Sequence, residues 1–94
     1  MLMDNWEEAC QSIASEIVRL LIKKQRDYGH DNINAFGEYG ILVRANDKIA
    51  RLKNLYDKET IENESIEDSW LDEGGYSILA LMVRRGLFNL ELKE

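Results

Sequence analysis

The chain predicts an all-α fold, a compact bundle of about three helices, and three observations lead there. None of the 94 residues is proline, so nothing of that kind interrupts a helix. Leu, Ile, Ala, Glu, Lys and Arg are abundant, and apart from isoleucine these are among the stronger helix formers. Apolar residues recur at intervals of three and four in three stretches, separated by a glycine- and asparagine-rich segment and by a short charged linker. With no internal repeat and no long linker, residues 1–94 are expected to form one domain.

The first helix is expected from about Asp4 to Tyr28. Asp4 and Glu7 fit a capping pair, and Trp6, Cys10, Ile13, Ile17, Leu20 and Leu21 form the apolar stripe. Gly29 should follow its end. Residues 29–40 bring Gly29, Gly37 and Gly40 together with His30, Asp31, Asn32 and Asn34, a composition that predicts a loop. The second helix, about Ile41 to Tyr56, places Ile41, Ala45, Ile49, Leu52, Leu55 and Tyr56 on its apolar face. The third should start between Ile61 and Ser65 and run to Arg85, with Gly86 as its cap and Ile66, Trp70, Ile78, Leu81 and Met82 toward the core. Gly74 and Gly75 inside it predict a close helix approach, since each costs about 1 kcal/mol relative to alanine in a helix interior. Residues 87–93 alternate enough to suggest a short C-terminal strand, among other continuations.

Composition narrows the function classes. A net charge of -6 opposes nonspecific attraction to nucleic acid, itself a polyanion. No apolar run approaches the roughly 20 residues of a membrane span, so no membrane partner is expected. Asp4, Glu7 and Glu8 stand where a secretory leader would carry positive charge, and the single Cys10 has no internal disulfide partner. A cytoplasmic location is the expectation. A domain this small covers limited apolar area by itself, so a homo-oligomer is expected too.

Three carboxylates, Glu64, Asp68 and Asp72, recur every fourth residue and would stack along one helix face. Like charges at this spacing destabilise an isolated helix, so the face is either solvated or neutralised by a cation. Magnesium suits such a site, because it joins one or two carboxylates to waters and substrate phosphates. Glu64 and Asp68 are the candidate metal ligands and Asp68 and Asp72 the candidate catalytic residues, the metal helping to orient or deprotonate water and an acid such as Asp72 serving as base. The competing reading is a solvated acidic face.

Arg44, Lys48 and Arg51 recur on one side of the second helix and could hold phosphate oxygens, with Asn54 nearby. They could equally pair with Asp47 and other acids. Asp27, Tyr28 and Asn32 border the glycine-rich segment, where an aromatic ring could stack on a base and an amide could read its edge. For Tyr28 and Phe36, packing into the core is the favoured expectation. The lone His30 excludes a multi-histidine metal site within one chain, and Cys10 in an apolar stripe reads as a small buried hydrophobe. Ser65 and Ser77 lack the setting of a nucleophilic triad, and the glycines lack the Gly-Lys-Ser/Thr ending of a Walker loop.

Lys-Lys-Gln-Arg-Asp-Tyr-Gly (23–29), Phe-Gly-Glu-Tyr-Gly-Ile-Leu-Val-Arg-Ala-Asn-Asp-Lys-Ile-Ala-Arg-Leu-Lys-Asn-Leu (36–55) and Glu-Ser-Ile-Glu-Asp-Ser-Trp-Leu-Asp-Glu-Gly-Gly-Tyr (64–76) resemble the nucleotide modification associated domain, type one, of bacteriophages and bacteria. The resemblance implies a nucleotide theme, and a host cytoplasm if the chain is phage-encoded. A weaker similarity is to the all-α nucleoside triphosphate pyrophosphohydrolases of the MazG and dimeric dUTPase type, which hold magnesium with helical carboxylates. Those families commonly use Glu-x-x-Glu on one helix and Glu-x-x-Asp on another, whereas the candidate acids Glu64, Asp68 and Asp72 are spaced by four and the first helix has Glu7, Glu8 and Glu16 without a Glu-x-x-Glu. The expected function is binding of a nucleotide or related phosphate metabolite, extending to magnesium-dependent nucleoside triphosphate pyrophosphohydrolysis. The alternatives are a noncatalytic phage accessory that binds a nucleotide signal or a host protein, and a helical oligomerisation module.

Overall fold

The computed structural model describes residues 3–58 and 63–93, and its order is α1 (Trp6–Tyr28), α2 (Asp31–Tyr56) and α3 (Asn63–Arg84). The all-α bundle of three helices is as expected. The expected linker lies largely outside the described residues, as does the earliest expected start of α3 at Ile61.

The cap of α1 falls one residue later than Asp4 and Glu7 predict. Asn5 is extended (φ -152°, ψ 171°), and its Oδ1 accepts the Glu8 amide at 2.9 Å. Glu8 reciprocates by accepting the Asp4 amide at 3.0 Å. Asparagine and aspartate cap about equally well, so spacing alone could not choose between neighbours. At the other end the Gly29 amide donates to the Gln25 carbonyl at 2.8 Å, which stops the helix where expected.

The segment 31–40, expected as a loop, is helical. Gly37 alone departs from helical geometry there (φ 65°, ψ -159°), and Gly29 has nearly the same dihedrals (φ 68°, ψ -158°). That region of backbone space is essentially restricted to glycine, so the two residues set the only sharp changes of direction between α1 and the body of α2. The composition marks special backbone positions at these glycines, but the six helical residues between them, 31–36, suffice for a turn and a half.

The core lies between α2 and α3 in two clusters. Leu52, Leu55 and Ile66 bury with Ile49 at one end, while Ile33, Ile41 and Phe88 bury with Tyr76, Leu79, Ala80, Met82 and Val83 at the other. Phe88 reaches the core because the chain reverses after α3. The Leu87 amide donates to the Met82 carbonyl at 2.8 Å and the Gly86 amide to Val83 at 3.1 Å, the paired bonds of a Schellman cap. Among the described residues there is no strand, and residues 88–90 form a turn where the alternation suggested one. The tail is pinned by Asn34 Nδ2, which donates to Asn89 Oδ1 at 2.7 Å, and by Phe88 against the His30 ring.

α1 packs chiefly on α3 and contributes no buried residue. The contact passes over Gly74 and Gly75, as their pairing in sequence predicted. A Cβ on Gly74 would come 2.6 Å from Ile17 Cδ1, and one on Gly75 would come 3.1 Å from Leu21 Cδ2. The N-terminal half of the stripe is left uncovered among the described residues: Trp6 and Ile13 are exposed, and so is Cys10, expected to be buried. Trp70, Leu81 and Tyr56, expected in the core, are exposed as well, with Trp70 Nε1 donating to the Tyr56 hydroxyl at 3.0 Å. In place of Trp70, the neighbouring Ser69 is fully buried, its hydroxyl donating to the Ser65 carbonyl at 2.9 Å. Three-four spacing identifies a stripe about 100° wide and leaves open which edge meets the neighbour.

Gly75→Leu should therefore displace α1 and lower stability by about 2 kcal/mol or more through overpacking. Gly75→Ala should be close to neutral, because its gain in helix propensity of about 1 kcal/mol offsets a tight but yielding contact. Thermal unfolding of the two variants checks both.

Candidate functional site

The acidic row of α3 and the basic row of α2 meet at one point. Lys48 Nζ lies 2.9 Å from Asp72 Oδ2, and Lys24 Nζ of α1 lies 2.9 Å from Asp72 Oδ1. One carboxylate thus receives a lysine from each of the other two helices. Its side chain is 18% exposed, which screens the pairs less than a surface bridge would be screened. Burial pushes the Asp72 carboxyl up, but hydrogen bonds and charge from Lys48 and Lys24 together outweigh it and hold the group below its ordinary range.

The remaining acids of the row do not share this environment. Glu64 and Asp68 are exposed on the earlier turns of α3. Among the described residues no three His, Cys, Asp or Glu side chains converge as a metal-binding group. Glu73, next to Asp72, was not singled out in the sequence, and its Oε1 is buried without a hydrogen-bond partner. Burial and the adjacent Asp72 charge raise its carboxyl, with Lys48 opposing them.

A cleft of about 390 Å³ opens where the end of α1, the start of α2 and the middle of α3 meet. Tyr28, Asn32 and Arg44, three of the residues expected to contact a nucleotide, line it together. Lys24, Gln25 and Tyr76 also line it and were missed, although Lys24 and Gln25 belong to the Lys-Lys-Gln-Arg-Asp-Tyr-Gly string and Tyr76 ends another of the quoted strings. Arg44 Nη2 donates to Asn32 Oδ1 at 3.1 Å, so both side chains are held at the cleft wall. Tyr28 is 67% exposed, which corrects the expectation that it packs in the core; Phe36 is equally exposed. Asp27, Lys48, Arg51 and Asn54 do not line this cleft, and Asp27, Arg51 and Asn54 are exposed.

His30 has a structural position beside the cleft. Its Nδ1 lies 2.8 Å from Gln25 Nε2, its Nε2 lies 3.7 Å from Glu91, and its ring meets Phe88 edge-on at 5.6 Å. With the Gln25 amide donating to Nδ1, the imidazole ties α1, the start of α2 and the tail together. Ser77 donates to the Glu73 carbonyl, an intrahelical bond that gives it no nucleophilic setting.

Asp72→Asn should cost about 2 kcal/mol at neutral pH, because it removes charge-assisted bonds to two lysines. A carboxyl whose folded pKa is depressed contributes stability above its unfolded pKa and loses it as pH falls through the folded value. The gap in melting temperature between Asp72→Asn and wild type should therefore close in acid. Glu73 has the opposite sign: its raised pKa favours the fold at low pH, and that contribution is lost as pH rises through the folded value. Glu73→Gln should accordingly raise the melting temperature at pH 7 and leave it unchanged below about pH 4, near the unperturbed glutamate pKa. Melting curves across pH test both signs.

No family model matches the chain, and no curated protein or solved structure matches it either. Among the described residues no helix is long and apolar enough to cross a membrane.

Proposed function

We propose that this chain binds a nucleotide or a related phosphate metabolite in the cleft beside Asp72. The observation that carries the reading is the meeting of Tyr28, Asn32 and Arg44 at a cleft of about 390 Å³, within the roughly 300–1,000 Å³ typical of small-molecule sites. Lys24 lines the same wall, with its ammonium held by Asp72 at 2.9 Å. Arg44 suits phosphate, since its guanidinium offers a planar fork of donors. The exposed ring of Tyr28 is available to stack on a base, and the Asn32 amide can donate to and accept from its edge. The resemblance to the nucleotide modification associated domain supports the same ligand class, on the residues quoted for it.

Magnesium would enter the cleft on the phosphates themselves, because Glu64 and Asp68 lie about 18 and 12 Å before Tyr76 along α3 and do not line it. Those two acids stand one helical turn apart and exposed, hard oxygen donors that could hold a hydrated magnesium ion apart from the cleft. Hydrolysis makes a further demand, a base to activate water. Asp72 is poorly suited in its present setting, because two lysines stabilise its ionised form and a depressed pKa weakens a general base. This favours binding without turnover, as in an accessory protein that holds a nucleotide signal, over pyrophosphohydrolysis.

Incubation with magnesium and a panel of ribo- and deoxynucleoside triphosphates, followed by chromatography with mass detection of the free and bound fractions, separates these readings. Unchanged nucleotide retained by the protein is expected, with retention falling about tenfold or more in Arg44→Ala, as loss of a charge-assisted bond predicts. Monophosphate and pyrophosphate abolished by Asp68→Asn would establish the hydrolase instead. An empty protein fraction without product would refute the nucleotide reading for this panel.

A further inference from the structure

We infer that the chain forms a two-fold dimer in which the N-terminal half of α1 of each copy seats in the α2/α3 groove of the other. The solitary chain leaves too much surface open. Its accessible area is 7492 Å², whereas a monomeric protein of 10.9 kDa exposes about 5,600 Å². Its radius of gyration is 15.0 Å against about 12 Å for a globular domain of this length. The excess of about 1,900 Å² lies within the range that an obligate homodimer covers per subunit, roughly 1,000–2,500 Å².

Two apolar faces account for the choice of surfaces. One is the first half of α1, where Trp6, Cys10 and Ile13 continue the stripe of Ile17 and Leu21 beyond its contact with α3 and are left exposed. From Trp6 to Glu16 this half is about 16 Å long. The other is a groove of about 410 Å³ between α2 and α3, with Ile41 and Ala45 in its wall and Tyr39, Leu42 and Leu81 exposed around it. Tyr39 is 75% exposed and Leu42 60%, high values for apolar side chains that share one cleft. Under a two-fold axis, helix-in-groove contact made once is made twice, so a second copy covers both faces on both chains. Pairing α1 with α1 would leave the grooves open.

Analytical ultracentrifugation of the whole chain over a wide concentration range tests the oligomer, and Cys10 provides a second readout without mutation. A species of twice the chain mass is expected at micromolar concentration, with maleimide labelling of Cys10 slow there and at least tenfold faster on dilution to monomer. Trp6→Asp with Ile13→Asp should give a folded monomer, and so should Leu42→Asp, each checked by circular dichroism. Mixing these two variants should restore a heterodimer, because one intact α1 then meets one intact groove. A wild-type chain that stays monomeric throughout, with Cys10 labelling independent of concentration, overturns the proposal. A dimer that survives Leu42→Asp, or two monomeric variants that fail to pair when mixed, overturns the reciprocal arrangement. Should a variant lose helicity, Ile13→Ser and Leu42→Ser replace the aspartates under the same criteria.

Discussion

Asp72 receives one lysine from α1 and one from α2 while standing on α3, so a single carboxylate links all three helices. The arrangement matters because α1 has little else. It buries no residue completely and rests on α3 mainly through Ile17 and Leu21 over two glycines. α2 and α3, by contrast, share both apolar clusters and the bidentate pairing of Arg84 with Glu38. Removing one partner of a half-buried ion pair leaves a charge without compensation, which costs more than the pair contributes in net terms. The position of α1, and with it one wall of the cleft, depends on this anchor.

The anchor also determines how the acids can be used. An i, i+4, i+8 row looks equivalent along a helix, but tertiary packing divides it. Glu64 and Asp68 face solvent, whereas Asp72 is drawn into a cationic pocket that keeps it ionised. The first two stay exposed, and the third serves to hold lysines. The neighbouring Glu73 experiences the reverse, since burial beside the Asp72 charge favours its protonated form. Two adjacent carboxyls are therefore displaced in opposite directions by the same lysine-aspartate cluster and its surroundings. Such divergence is common at functional sites and also arises in structural ion-pair networks.

Glycine has a separate influence on the geometry. Gly29 and Gly37 bracket the first turn and a half of α2 with nearly the same unusual dihedrals, and this places Asn32 where Arg44, twelve residues later, can reach it. The cleft mouth is consequently built from helical residues on either side of a glycine, with Tyr28 at the rim. His30, through Gln25, Glu91 and Phe88, braces the same corner from behind.

Local physics made much of this readable in the residues. The three helices, the stop at Gly29, the cap at Gly86 and the close approach at Gly74 and Gly75 all follow from periodicity and backbone freedom, which are properties of neighbouring residues. The amino-acid sequence by itself determined the helical class and the existence of one acidic and one basic row. Only the tertiary structure decided that the rows meet at Asp72 and Lys48, that Lys24 joins them from another helix, and that Tyr28, Asn32 and Arg44 share a cleft while Asp27, Arg51 and Asn54 do not. It also decided which edge of each apolar stripe is covered within the chain, leaving Cys10, Trp6 and Trp70 exposed on it and burying Ser69. The reason is that helical periodicity gives a residue's angle about its own axis, whereas contact depends on where the axes cross, and that is settled by packing among residues far apart in the chain.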